Sequence, residues 1–132
     1  MKYLLDTNAV IALLKGEPRI DARIRKETPG SVCISSVVTY ELYYGAFKSQ
    51  QREKNLKRVD ALLFETIAFD AEDARMAGEI RADLASRGTP IGPYDTLIAG
   101  QAAARNLILV TRNLREFERI ARLHVQDWQL HS

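Results

Sequence analysis

The sequence predicts a single α/β domain around a parallel sheet of about five strands. Two patterns carry that reading. Short apolar runs at 3–5, 32–34, 66–69 and 107–110 are free of charge, as strands buried on both faces are. Between them apolar residues recur at helical spacing, so strands and helices alternate along the chain.

In chain order, Tyr3, Leu4 and Leu5 form the first strand, and Asp6 stands at its end. Thr7 and Asn8 are helix-capping types, and Val10, Ile11, Leu13 and Leu14 give the stripe of a helix behind them. Gly16 and Pro18 stop that helix. Residues 20–26 form a short polar helix, and Thr28-Pro29-Gly30 a turn. Val32, Cys33 and Ile34 make the second strand, after which Ser35 or Ser36 caps a helix running to about Phe47. A further helix puts Leu56, Val59 and Leu63 on one face. Residues 66–69 form the third strand. Asp70 is its exit and an N-cap, with Asp73 three residues on. Ala77, Ile80 and Leu84 stripe a long helix that Gly88 ends. Pro93 suits the first position of the next helix, where its missing N–H is not needed. The fourth strand spans 107–110, a short helix starts at Leu114, and 123–128 is a last short strand or extended tail.

A length of 132 residues suits one domain with one core, and 46% hydrophobic with 27% charged residues excludes disorder. No apolar run approaches the ~20 residues of a membrane-spanning helix, and no secretory leader pattern opens the chain. These features predict a cytoplasmic protein with no membrane partner. The lone Cys33 excludes an internal disulfide and sits in an apolar strand as core filler. The net charge is only +2, but basic residues fall into groups: 19–26, 48–58 and 105–122. The first two groups read as solvated helix faces. The third, with Arg105, Arg112, Arg115, Arg119 and Arg122, is rich enough in arginine to touch phosphates.

Three carboxylates stand alone on apolar elements. Asp6 is the only charge between Tyr3 and Leu14, Glu41 between Thr28 and Phe47, and Asp95 between Gly88 and Ala104. A buried, unpaired carboxylate costs several kcal/mol. Acids meeting one another would repel, and a divalent cation removes that conflict. Ligation by carboxylates without paired His or Cys suits Mg²⁺ or Mn²⁺ rather than zinc. Each acid also has a structural explanation. Asp6 can cap its helix, Asp95 can complement a helix dipole, and Glu41 can pair with a buried arginine. At the end of the fourth strand, Asn113 with Glu116 is either a capping box or a contributor to the same site, and both roles can hold.

A strand ending LLDTN, a helix carrying YELYYGA, the segment PIGPYDTLIAGQA and the stretch LILVTRNLREFERI follow in that order. In this order and spacing they resemble a PIN-domain ribonuclease, closest to the VapC-type toxins of bacterial toxin–antitoxin pairs, over essentially the whole chain. The resemblance implies a sheet order of 3-2-1-4-5 between helical layers and maps the catalytic, metal-holding acids onto Asp6, Glu41 and Asp95. The fourth family position, often Asp, is Asn113 here, and Glu116 one turn on stands in for it. The implied chemistry is Mg²⁺- or Mn²⁺-dependent hydrolysis of RNA, usually tRNA or another structured RNA, leaving 3′-hydroxyl and 5′-phosphate ends. Thr7 and Asn8 would hold the acids or touch phosphate, and Arg112 and Arg115 would grip the RNA backbone. The implied partners are a cognate antitoxin lying across the cleft, with Tyr40, Tyr43, Tyr44 and Phe47 lining its groove or filling the core or a dimer interface, and a second copy in a homodimer.

The rival readings are weaker. A receiver-type signalling domain needs an acid pair after strand one and a lysine after strand five; Asp6 is followed by Thr7 and Asn8, and no lysine follows Lys57. A P-loop motif is absent. A serine or cysteine hydrolase is disfavoured because His124 and His131 both lie in the tail. The alternative within the family is a non-catalytic RNA- or protein-binding PIN module, which Asn113 alone favours.

Overall fold

A computed structural model describes residues 1–130; His131 lies outside them. The elements are β1 (Tyr3–Leu5), α1 (Thr7–Leu14), α2 (Pro18–Lys26), β2 (Val32–Ser35), α3 (Ser36–Lys48), α4 (Arg52–Asp60), β3 (Glu65–Ile67), α5 (Ala71–Ser86), α6 (Pro93–Ala104), β4 (Ile108–Val110), α7 (Leu114–Phe117) and β5 (Val125–Gln126). The strands form one parallel sheet in the order β3-β2-β1-β4-β5. The β1–β2 and β2–β3 connections step one way along the sheet, and β3–β4 and β4–β5 step back. Right-handed crossovers therefore put α1–α4 and α5–α7 over opposite faces. The reversal falls between β1 and β4, the switch point where ligands bind in open α/β sheets.

The central strands are apolar because they are covered on both sides. Leu4, Leu5, Cys33 and Leu109 are fully buried, in one core with Val10, Val38, Ile98 and Phe117. Cys33 is core filler as expected, and burial pushes its thiol up to about 11. Tyr3 at the start of β1 meets Trp128 edge-on, ring centres 4.9 Å apart, and Arg23 stacks over Trp128. That contact pins the C-terminal stretch beside β1.

Several expected boundaries shift for local reasons. The cap of α1 is Asp6 itself rather than Thr7 or Asn8. Pro18, expected to end a helix, opens α2 at its first turn behind the Glu17 cap. The third strand ends at Ile67 instead of 69. The Ala68 carbonyl accepts from Gln101 Nε2 and Arg105, and the Phe69 amide donates to Ser36 Oγ, so side chains take the backbone groups a longer strand would pair. β4 starts at Ile108 because the Leu107 amide closes α6 on the Ala102 carbonyl. Leu63 is 98% exposed: α4 ends at Asp60 and the chain leaves the face that Leu56 and Val59 keep. The Asp70–Asp73 capping box forms in both directions.

Helices α5 and α6 pack closely. A Cβ built on Gly100 would lie 2.5 Å from the Ala77 Cβ and 2.6 Å from its backbone. Backbone cannot yield as a flexible side-chain tip can. Gly100→Ala is therefore expected to destabilise the fold by about 1–3 kcal/mol in urea unfolding, whereas Gly78→Ala, where nothing lies within 4 Å, should be neutral or stabilising.

Candidate active site

Asp6 sits where β1 ends. Its backbone amide donates to the Val110 carbonyl of β4 at 3.0 Å, tying it to the switch point. Its carboxylate accepts from the Ala9 amide at 2.7 Å, as the cap of α1. The capping explanation for Asp6 is therefore true, yet it leaves much of the carboxylate's acceptor capacity for other partners. Burial pushes the Asp6 carboxyl up. The Thr111 hydroxyl and the Ala9 amide pull it down, Glu41 and Asp127 push it up again, and the result lies above the ordinary aspartate value.

Glu41 projects from α3, which buries Val38, Leu42 and Ala46 on its inner face. Among the described residues no arginine forms an ion pair with it. Its carboxylate accepts from Thr7 Oγ1 at 2.7 Å, so the residue after Asp6 braces the second acid. Asp95 lies in the first turn of α6, behind Pro93. Burial, then the charges of Asp6, Glu116 and Glu41, push its carboxyl up to about 6. Four acids from four stretches of chain thus share one electrostatic neighbourhood, with Asp127 adding to it at Asp6.

Asn113 and Glu116 do not form the capping box that their spacing suggests. The Asn113 side chain makes no cap bond, and its backbone amide donates to Thr111 Oγ1 at 3.0 Å. Asn113 instead joins Asp6 in lining a groove of about 840 Å³ that runs along α1 to the Gly16–Glu17 turn. Asn8 and Arg112 line the same groove; Arg115, on α7, is exposed but lies outside that lining. A second groove of about 300 Å³ lies between α1, α3 and α4. Glu41 stands on its wall, and Ile11, Leu14, Leu42 and Val59 make it aliphatic. The expected aromatic lining is not there: Tyr40, Tyr44 and Phe47 are exposed on the outer face of α3, and the Tyr43 hydroxyl bonds to Asp60.

The basic groups divide by role. Arg19, Arg23 and Arg25 pair with neighbouring acids on or beside α2, as a solvated face should. The third group is split. Arg105 holds the buried Asp73, which takes it from phosphate, and Arg122 pairs with Glu79 at the surface. Among the described residues Arg112 and Arg115 make no ion pair. Asp127 and Gln129 carry no local signal of a site in the sequence. Thr111 had a usable signal, since it follows β4 as Asp6 follows β1.

Among the described residues no three His, Cys, Asp or Glu side chains stand close enough to ligate one ion by themselves. The donor set is all oxygen and self-repelling. That chemistry fits a hard divalent cation, which keeps several waters and takes only one or two carboxylates directly.

Known proteins resemble this chain over nearly its full length. A tRNA(fMet)-specific endonuclease VapC of Salmonella typhimurium is 46% identical, covering 97% of this chain and 98% of the relative. A Ribonuclease VapC2 of Haemophilus influenzae is 39% identical over the same shares. Among solved structures, DNA-bound VapBC from Salmonella typhimurium matches with a TM-score of 0.92 at 46% identity, covering 97% of this chain and 98% of that one. VapBC2 from Rickettsia felis bound to a promoter DNA fragment matches with a TM-score of 0.88 at 36% identity, covering 97% and 99%. With the PIN-domain family model matching residues 3–123, this chain belongs to the PIN-domain family.

Proposed function

We propose that the chain is a Mg²⁺- or Mn²⁺-dependent endoribonuclease, the toxin of a toxin–antitoxin pair, cutting tRNA or another structured RNA. The observation that carries this reading is the gathering of Asp6, Glu41, Asp95 and Glu116 in one electrostatic neighbourhood, where among the described residues none of them is held in an ion pair. A structural network would have been paired, as Asp73 is. The names of the relatives supply the substrate class, and a solved structure, 25% identical, described as a member of the VapBC family of toxin-antitoxin systems supplies the toxin role.

Asp6, Glu41 and Asp95 would hold the cation, partly through water. When bound, it lowers the pKa of an attacking water and steadies charge on the phosphate. The protein's own part is positioning. The Ala9 amide fixes Asp6, and Thr7 fixes Glu41. One of these carboxylates orients the attacking water and takes its proton. Water oxygen then bonds to phosphorus, the 3′ oxygen leaves and takes up a proton, and the 5′-phosphate remains on the other fragment. Arg112 beside Asp6 steadies the phosphate backbone.

The aliphatic groove between α1, α3 and α4 suits an apolar segment of a cognate antitoxin whose basic residue reaches Glu41. The outer face of α3, with Tyr40, Tyr44 and Phe47 exposed beside Tyr94, suits a second copy in a homodimer.

The first test is RNA cleavage. Antitoxin-free protein should cut total tRNA into discrete fragments with Mn²⁺ and not with EDTA. Asp6→Asn and Glu41→Gln should each lose roughly 100-fold or more in rate while keeping the wild-type circular dichroism spectrum. Binding to RNA without cutting it, with folded protein and metal present, would instead establish the non-catalytic module.

Metal binding is also readable without activity. Cation at about 100 times its Kd should add about 2.7 kcal/mol to folding stability. An unchanged Tm at millimolar Mn²⁺ would remove the cation from the reading.

The raised pKa of Asp95 has a definite sign. Its folded value, about 6, lies above the ordinary 3.8, so the folded state holds the proton more tightly. Ionising Asp95 therefore costs stability as pH rises from about 4 through 6. In metal-free protein, Asp95→Asn should raise Tm at pH 7, and the difference should shrink towards zero near pH 4. A difference independent of pH would mean the charge is not the cause.

A further inference from the structure

The 840 Å³ groove that starts at Asp6 has features that hydrolysis does not use. Its size lies within the ~300–1,000 Å³ range of ligand clefts. One wall is α1, with Asn8, the apolar Ile11 and Ala12, and Lys15 at its end. The other is the β4–α7 loop with Arg112 and Asn113, joined by Gln129 from the C-terminal stretch. Three carboxamides and two cations therefore border one cleft that opens on the carboxylates.

Gln129 is the unusual member. It is 8% exposed, and its backbone amide is fixed on Asp127 Oδ1 at 2.8 Å. Among the described residues its side-chain amide makes no hydrogen bond to protein, and the residue lines the cleft. A carboxamide on a cleft wall, with no protein partner among the described residues, is free to bond a ligand in the cleft. The amide offers a donor and an acceptor side by side, which is the match for the edge of a nucleobase. The one acid on the far rim, Glu17, is taken up by Arg19 and by the amides of Arg19 and Ile20, so it does not oppose phosphate.

We propose that this groove is a base-reading subsite. It takes one unpaired nucleotide beside the scissile phosphate, Gln129 reads the base edge, and Lys15 and Arg112 hold the neighbouring phosphates from the two walls. Ile11 and Ala12 supply the apolar surface on which the base lies. This rests on the ribonuclease reading and adds to it the origin of sequence preference, which the carboxylates cannot provide.

The test uses RNA hairpins with a randomised loop, cut by the full chain with Mn²⁺ and sequenced at the new ends. Wild type should prefer one base over the poorest by about tenfold at one position beside the cut. Gln129→Met keeps the shape without the hydrogen bonds and should flatten that position to within about threefold, leaving other positions as they were. Gln129→Glu keeps the shape with acceptors only and should move the preference towards a base offering an amino group. Lys15→Ala should raise KM for all sequences alike and lower the slope of binding against salt by about one. A wild type without base preference at the cut, or a preference that survives both Gln129 variants, overturns the proposal. If Gln129→Met fails to fold, Gln129→Glu decides. If wild type leaves every RNA whole, the ribonuclease reading fails. The groove is then judged by fluorescence anisotropy of the same labelled hairpins in EDTA: base-dependent affinity that Gln129→Met flattens supports it, and equal affinity for all loops overturns it.

Discussion

The electrostatic conflict at the carboxyl edge of the sheet is the constraint on which the rest depends. Two buried aspartates show it by contrast. Burial pushes Asp73 up, but the Arg105 guanidinium, the Asp70 amide and the Gln101 amide outweigh it and hold the carboxyl below its ordinary value. Asp6 has the Ala9 amide and the Thr111 hydroxyl but no guanidinium; burial, with the charges of Glu41 and Asp127 adding to it, leaves it above its ordinary value. The same residue type is satisfied in one place and frustrated in the other. A frustrated carboxylate persists only where a rigid frame imposes it and a ligand relieves it. The core strands on either side of Asp6 are that frame.

The parallel class of the sheet follows from short, mostly apolar strands and from connections too long for hairpins; its order is what the family resemblance implied. Those signals lie within single segments and survive in the linear sequence. The acids were legible for a related reason. Glu41 sits among Val38, Tyr40, Leu42 and Tyr43, where a lone charge has no local use. Asp73 was not legible as a buried ion-pair member, because its helix carries Asp70, Glu72 and Arg75 nearby and reads as solvated. Its partner Arg105 lies 32 positions away and sat in a run of arginines that resembled a phosphate surface. Local pattern misled in the same way at Asn113. The N-x-x-E spacing is a capping signal, but Thr111 takes the Asn113 amide first, so the side chain is left for the groove. Gln129 and Asp127 were hidden because nothing in a terminal segment announces that Trp128 will anchor it beside β1.

The split between acids and amides gives the site a division of labour. Carboxylates bind cations and move protons but repel phosphate. Amides and cations accept phosphate and bases but do no acid–base chemistry near neutral pH. The fold keeps the two sets adjacent and distinct, with Asp6 on the boundary between the acid cluster and the groove.

Asn113 shows why that boundary falls where it does. A carboxylate at 113 would add another charge to a neighbourhood that already pushes Asp95 to about 6. Each added like charge raises the cost of ionising the others, and without a second cation the cluster would hold protons at neutral pH instead of releasing them. A neutral amide avoids that cost and turns the same position towards recognition. Where the resemblance implied an acid, Asn113 thus keeps the fourth position neutral and places it on the groove wall beside Asp6.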